Sequence, residues 1–388
     1  ALRGALARAP RPRAEGVPFQ GGLVGVSGYD VVRRFEDIPS VASRKGGAEL
    51  SYVAPSSMLV FDHTTRRCAV LHDGSDAERK AIRRDVVHAL RNTIPARENP
   101  FGSTGFRSGG FSSPRASMSK EQYESGVTRI RDYIREGDVY QLVLSSAFSG
   151  DCTMDPFEVY RALRLLNPSP YMYYFESGGL SVVGSSPEAL VKLDGREATL
   201  RPIAGTRPRG ATHAEHLANE AELLADPKEA SEHVMLVDLA RNDLGRVAVP
   251  GTVRVEPYRI IERYSHVMHI VSGVQGTVAE GYDQFDLFAA TFPAGTVVGA
   301  PKVRAMALID ELEPVRRGVY AGTVGYFGHG DQMDQAIAIR TVTFENGSYT
   351  YQAGAGIVAD SVPSKEHDEI LAKSAAMAAA LALAEEGL

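Results

Sequence analysis

Apolar positions recur at helical spacing in several windows of the chain, and between them lie strand-like runs of alternating or continuous apolar residues. Over 77–92, Ile82, Val86, Val87 and Leu90 form an apolar stripe that predicts a helix. Ser119 followed by Gln122 is a capping-box signature, and Tyr123, Val127, Ile130 and Ile134 carry that helix on until Gly137 ends it. Helices are also predicted over 156–166, 212–224, 284–291, 302–313 and 364–383. Asp226 and Pro227 open another as N-cap and first residue, with Val234, Leu236, Val237, Leu239 and Ala240 on its apolar side and Gly245 as its stop. Strand runs at 52–53, 57–62 and 67–71 read as an antiparallel meander. Further strands are predicted at 139–148, 171–175, 180–184, 189–193, 198–202, 253–258 and 263–276, and 318–328, 333–344 and 349–358 read as a second meander. Glycines among the apolar residues of 19–35 leave strand, tight turn and short helix all open. Strand runs mixed with helices outside a regular alternation predict an α+β fold rather than a doubly wound parallel sheet.

The stretch 95–115 is rich in Gly, Ser, Pro, Phe and Arg and has no usable period, so it reads as a loop or linker. It divides the chain into a leading part (1–94), a linker (95–117) and a larger region (118–388). No internal repeat is visible. With 388 residues, 44% of them hydrophobic, the chain has ample material for a core. A net charge of -6 argues against nucleic acid as the main partner. No apolar run approaches the ~20 residues that span a bilayer. The two cysteines, Cys68 and Cys152, are far apart and suggest neither a disulfide framework nor a zinc site, which fits a reducing cytoplasm. The first residues are Arg-rich but lack the serine of a transit peptide, and read as a frayed or trimmed start.

Chemistry enters with the spacing of acidic residues. Glu229 and Glu232 lie three apart on one predicted helix, and Glu366 and Glu369 repeat that spacing on the last one. Two solvated acidic faces satisfy the pattern, and so does a shared site for a hard cation such as Mg2+. His266 and His269 fall in a β-branched run, where residues three apart face opposite ways, so they are not a metal pair. One is a candidate catalytic imidazole and the other a packed or surface histidine. Gly205 with Thr206, and Gly354, Ala355 and Gly356, read as glycine turns beside strands; such turns either present N–H groups to a carboxylate or merely bend the chain. Arg340 could offer a fixed fork to a carboxylate, and Glu188, if partly buried, a general acid. Lys302 in G-A-P-K lacks the spacing of a nucleotide-binding loop. Together these residues sketch a pocket for a small polyanion.

As an ordered set the motifs resemble the chorismate-utilising enzymes. They are G-D-V-Y-Q-L-V-L-S, N-P-S-P-Y-M, G-S-S-P-E, R-P-I-A-G-T-R-P-R, E-H-V-M-L-V-D-L-A-R-N-D-L-G, Y-S-H-V-M-H, F-P-A-G-T, D-E-L-E-P-V-R-R-G, D-Q-A-I-A-I-R-T and Q-A-G-A-G-I-V-A-D-S. The likeness spans about 19–384 and is greatest to the anthranilate synthase component I branch. It implies antiparallel sheets packed in a sandwich with helices outside. It also implies that Glu229, Glu232, Glu366 and Glu369 surround Mg2+, with Glu232 and Glu369 the surest ligands. By the same resemblance Arg340, Tyr320 and the 354–356 segment match the pocket for the enolpyruvyl carboxylate, and Lys373 a lysine near the metal and ring carboxylate. Glu188 matches the general acid for the leaving hydroxyl, His269 the histidine of the later elimination, and Thr206 and Thr296 pocket-lining hydroxyls.

Two positions sort the branches. Isochorismate and salicylate synthases carry a lysine base where this chain has Gln141, and aminodeoxychorismate synthases a lysine nucleophile where it has Ala204. What the resemblance then implies is ammonia adding at ring carbon 2 of chorismate, followed by pyruvate elimination to anthranilate. Stopping before elimination, at 2-amino-2-deoxyisochorismate, is the alternative, and a non-catalytic small-diacid-binding relative is the third reading. Val298 stands where the family commonly has serine, and Val26 and Ser27 where it often has an aromatic; both departures bear on the choice of product. The family's L-L-E-S-like segment, which helps bind tryptophan, would precede this chain, whereas N-P-S-P-Y-M is present; a shortened chain and a pathway without that regulation both fit. No G-x-C-x-G elbow occurs, so ammonia is expected from a separate glutamine amidotransferase subunit, and homo- or hetero-oligomeric assembly stays open.

Overall fold

The computed structural model describes residues 1–12, 17, 19–39, 49–92, 109–264 and 267–387. His266 and most of the expected linker lie outside them. Two antiparallel sheets face each other. The larger has eight strands in the order Arg254–Val255, Val274–Thr277, Glu197–Leu200, Ala189–Asp194, Gln332–Ile337, Thr323–Gly328, Gly22–Ser27, Leu50–Val53. The other runs Gly299–Ala300, Gln141–Asp151, Ser348–Ile357, Thr341–Glu345, Leu180–Ser186, Tyr171–Ser177, with Arg115–Ala116 also paired to Gln141–Asp151. Val26 and Val324 from the first sheet pack with Phe175 and Val182 from the second. This is the expected sandwich, and its alternating inward residues are what bind the layers. Ile203–Pro208, Val267–Val271 and Ile260–Arg263 form a separate three-stranded sheet.

Helices cover the outside. Lys120–Glu136 starts in the predicted capping box and ends on left-handed Gly137, burying Tyr123, Val127 and Ile130. Pro227–Gly245 starts on Asp226, whose side chain accepts from the N–H groups of Lys228 and Glu229. Pro363–Glu386 buries Ile370, Ser374, Met377, Ala380 and Leu381 against Ser348–Ile357 and the helix Pro156–Leu166.

Several expectations are corrected. The run 333–344 is not one strand: Gln332–Ile337 belongs to the larger sheet and Thr341–Glu345 to the other, so the predicted meander is split between layers. The break falls at Arg340, whose φ of +51° takes the backbone out of the extended region. The run 263–276 likewise divides, into Val267–Val271 and Val274–Thr277, and 253–258 keeps only Arg254–Val255 in strand. The first meander does not form either, because Leu50–Val53 pairs with Gly22–Ser27 while Ser57–Asp62 and Arg67–His72 make their own hairpin. The helix Asp76–Arg91 forms, but none of its residues is buried and Leu90 is exposed. The start of the chain is not frayed: Leu2–Leu6 is helical, its apolar residues pack on the core, and Arg3 pairs with Asp283 and Asp286. At the C-terminal end of the expected linker, Phe111 bridges Cys152 and Arg115–Ala116 joins a sheet.

The two sheets exchange strands at one place. Residues 187–188 carry the chain from Leu180–Ser186 to Ala189–Asp194, and 338–340 carry it back from Gln332–Ile337 to Thr341–Glu345. These crossings lie side by side: Ser185 N–H donates to Arg340 O at 3.1 Å, and Ile337 N–H to Glu188 O at 3.0 Å. Glu188 and Arg340 therefore stand on the same seam.

Candidate active site

The three-stranded sheet supplies the imidazole. Gly205, at φ +69°, forms a bulge in Ile203–Pro208, which is why the register against Val267–Val271 shifts there. The bulge turns the Gly205 carbonyl toward His269 Nδ1 at 3.0 Å, and Thr206 Oγ1 lies 3.0 Å from the same nitrogen. A carbonyl only accepts, so Nδ1 carries the proton and Nε2 keeps its lone pair. Burial, with Arg340 nearby, holds the imidazole below its ordinary range and so neutral, against the raising effect of the Gly205 bond.

The last two elements of the chain supply anion-binding groups. Gly354, Ala355 and Gly356 are not a turn; they sit inside the strand Ser348–Ile357 opposite Ser145, Leu144 and Val143. Ser145 N–H goes to Glu313 and Val143 N–H to Val298 O, so both turn away from the paired strand. Their partners Gly354 and Gly356 must then do the same on the opposite side, where N–H and C=O of each residue point together. Lys373 Nζ donates to Gly354 O at 3.1 Å on that side and pairs with Glu369 at 2.7 Å. Arg340 donates to Lys373 O at 3.2 Å, and burial lowers its pKa. Arg340 has no carboxylate within ion-pair distance among the described residues. A half-buried guanidinium in that condition favours an incoming anion. A side chain at Gly354 would meet the Tyr320 hydroxyl, and one at Gly356 the Gln141 amide, so glycine is required for those groups to approach the strand.

Glu188 completes the seam. Its carboxyl is pushed up to about 7 by burial, with the Thr296 hydroxyl and the Lys373 charge partly opposing. A small cavity lies behind it, lined by Glu188, Leu200, Leu236, Leu239, Asp243 and Thr296. The larger cavity of about 320 Å³ is on the outer side of the helix Pro227–Gly245, lined by Val234, Asp238, Arg241 and Tyr258, and none of the predicted site residues borders it.

The four glutamates stand on two helices, Glu229 and Glu232 on Pro227–Gly245 and Glu366 and Glu369 on Pro363–Glu386. Lys228, next to Pro227, acts on Glu366 of the last helix as well as on Glu232 of its own, and Lys373 acts on both. Burial raises Glu232, with Glu229 adding repulsion and the Gln141 amide opposing; burial also raises Glu366, with Glu369 adding repulsion against Ser361. The donors are all carboxylate oxygens, the set a hard divalent cation takes, and dehydrated carboxylates that repel one another gain from such an ion, so the residues fit Mg2+. As the side chains stand, no three His, Cys, Asp or Glu among the described residues lie within reach of one ion. Glu229 is turned to Arg207 at 3.1 Å and Glu369 to Lys373.

Charge thus links all the sequence-predicted groups. Lys373 is the hub, touching Glu369 and Gly354 and acting on Glu188, Glu232 and Glu366. Arg207, which holds Glu229 and Asp226, was not singled out from sequence, although its place after the Gly-Thr of R-P-I-A-G-T-R-P-R marks it. Lys302 forms a buried pair with Asp243 at 2.6 Å, away from any phosphate loop. Val298 and Val26 are both buried in apolar clusters, and Ser27 bonds Tyr52 at 2.8 Å. The two departures therefore alter packing rather than add groups to the site. Cys68 and Cys152 are both free thiols, and burial raises the second.

Known proteins share this architecture. The structure superimposes on the crystal structure of anthranilate synthase component I from Streptococcus pneumoniae with a TM-score of 0.85, 38% identity, and coverage of 97% of this chain and 84% of that one. The menaquinone-specific isochorismate synthase of Escherichia coli, at 21% identity and TM-score 0.70 over 92% and 78% of the two chains, shares the fold. In sequence, the anthranilate synthase component 1 of Thermus thermophilus is 47% identical over 96% of this chain and 79% of its own length. That of Pseudomonas aeruginosa is 46% identical over 98% and 79%. Residues 1–379 match the chorismate binding enzymes, and the chain belongs to that family.

Proposed function

We propose that this chain converts chorismate and ammonia to anthranilate and pyruvate. The observation that carries the choice of reaction is its likeness, at 46–47% identity over nearly its whole length, to proteins named anthranilate synthase component 1. The residues support it. Gln141 is a buried amide against Gly356 and cannot deprotonate water, which suits a nucleophile that needs no activation. Ala204 is buried in its strand and offers no nucleophile.

Arg340, Tyr320 and the open edge at Gly354 and Gly356 bind the enolpyruvyl carboxylate, and Lys373 the ring carboxylate. Glu232 and Glu369, with Glu229 and Glu366 in support, would hold Mg2+, which when bound would supply charge to fix and polarise the ring carboxylate. Glu188, protonated near neutrality, gives its proton to the departing ring hydroxyl as ammonia adds at ring carbon 2. The buried Thr296 hydroxyl stands beside that carboxyl. His269 Nε2 then takes the ring proton as the ring C–O bond breaks and the side chain leaves as enolpyruvate, which takes up one proton at its methylene carbon to become pyruvate, while the Gly205 carbonyl holds Nδ1–H and steadies the imidazolium. A separate glutamine amidotransferase subunit supplies the ammonia.

The test is to incubate the pure chain with chorismate, Mg2+ and an ammonium salt. Anthranilate fluorescence and equimolar pyruvate are expected, and both should vanish with excess chelator. Amination without pyruvate would replace this reading with an aminodeoxyisochorismate synthase, and unchanged chorismate would end it.

A further inference from the structure

The stretch D-E-L-E-P-V-R-R-G holds a second ionic group, beneath the site. Glu313 and Arg317 pair at 2.7 Å with their side chains almost wholly buried, at 3% and 1% exposure. The helix Lys302–Leu312 has already ended at Glu313, so their four-residue spacing is not a helical surface pair. A buried ion pair is a poor device for stability, since apolar residues of similar size often serve as well. Its value has to be sought in what its hydrogen bonds hold.

They hold three parts of the site. Glu313 Oε1 accepts from Ser145 N at 2.9 Å and Ser145 Oγ at 2.6 Å, and Ser145 stands directly opposite Gly354. Arg317 donates to Val143 O at 2.9 Å, and Val143 stands opposite Gly356. It donates also to Val297 O at 2.6 Å, one residue from Thr296, and its guanidinium lies 5.5 Å from the ring of Tyr320. Gln352 donates to Ser145 Oγ at 2.8 Å and ties the same strand again. One carboxylate and one guanidinium therefore set the strand edge, the Tyr320 ring and the Thr296 turn relative to one another.

We propose that Glu313 and Arg317 are positioning residues: a rigid buried clamp that keeps the enolpyruvyl-carboxylate pocket and the Thr296 turn in register. The inference rests on the chorismate reading of the site. Its effect is on substrate binding first, because two of the three anchored parts, the strand edge at Gly354 and Gly356 and the Tyr320 ring, belong to the carboxylate pocket and the third, the Thr296 turn, adjoins Glu188. Displacements of about 1 Å in such groups cost about a hundredfold.

The test is the Glu313→Met/Arg317→Met double variant, which removes both charges and keeps the volume, assayed beside the wild-type chain with chorismate, Mg2+ and ammonium. Thermal unfolding should stay within a few degrees of wild type. kcat/KM should fall by roughly a hundredfold, mainly through KM, and calorimetry should show the matching loss of chorismate affinity. Arg317→Lys, which keeps the charge but loses the fork to Val143 and Val297, should not rescue it. Wild-type kinetics with unchanged unfolding would overturn the proposal, and so would an activity loss that merely follows the unfolded fraction. Should the double variant not fold, Ser145→Ala decides: KM raised several-fold supports the clamp, and an unchanged KM ends it. A wild-type chain inert toward chorismate would instead sink the functional reading itself.

Discussion

Two regions of this molecule invert the usual relation between local signal and importance. The helix Asp76–Arg91 has a capping box from Ser75 and Glu78 and a clear apolar stripe, yet none of its residues is buried. The last helix, Pro363–Glu386, has no side-chain cap at its start and a diffuse, alanine-rich pattern. It nevertheless buries Ile370, Met377, Ala380 and Leu381 and carries Glu366, Glu369 and Lys373. Caps and stripes contribute to helix formation, but packing dominates helix stability in a folded chain. The difference teaches that tertiary packing, rather than local signal, holds the helix that carries site groups, beside the seam at which strands pass between sheets.

The largest effect should come from the seam. Glu188→Gln keeps shape and burial but removes the proton donor, and kcat should fall about a thousandfold, the scale of a lost general acid. The loss should persist at saturating chorismate, whereas Ser75→Ala in the outlying helix should leave kcat untouched. Equal losses from both would erase the contrast.

The pH profile sharpens the same point. Glu188 must be protonated to act, so kcat should decline as pH rises through about 7, measured with free ammonia held constant by adjusting total ammonium at each pH. His269 must be neutral, so an acidic limb should appear below the ordinary value of 6.5. The raised Glu188 also binds its proton more tightly folded than unfolded. Its contribution to stability is therefore present at low pH and lost as pH rises from 4.5 toward about 7. In Glu188→Gln the basic limb near 7 should disappear from the residual rate; its survival would assign that limb elsewhere.

Next in size is packing. Leu381→Ala, at a fully buried position of the last helix, should cost about 2–5 kcal/mol in denaturant unfolding. Leu90→Ala, at 63% exposure in the other helix, should stay within about 0.5 kcal/mol. A reversal of that order would mean that the outlying helix is docked and the last one is not.

What could be read from sequence follows the same division. The capping box at Ser119 and the Asp226–Pro227 start depend on neighbours within three residues, and both are where they were expected. The face shared by Glu229 and Glu232 follows from helical spacing alone. The break at Arg340 had no such signal, because A-I-A-I-R-T reads as continuous strand. The left-handed turn there is held by a bond from Ser185, more than a hundred residues away. Gly354 and Gly356 were visible as glycines but misread as a turn, since what they permit is close approach by Tyr320 and Gln141, which belong to other elements. The Glu313–Arg317 pair was hidden for a similar reason: its spacing suggests a helix, and its partners lie on distant strands.

The smallest effect tests whether the outlying helix owes its existence to its local signals. Ser75 Oγ accepts from Glu78 N–H, and Glu78 accepts from Ser75 N–H at 2.8 Å, so two backbone donors at the helix start depend on this pair of side chains. With no buried residue to compensate, Ser75→Ala should leave the Glu78 N–H without its acceptor, remove the Ser75 Oγ bond that holds the Glu78 carboxylate, and fray the first turn. The cost should be about 1 kcal/mol. It should show as faster amide exchange over 76–80, with global unfolding and chorismate turnover unchanged. If exchange there matched wild type, the helix would be held by contacts rather than caps, and the contrast with Pro363–Glu386 would be one of degree only.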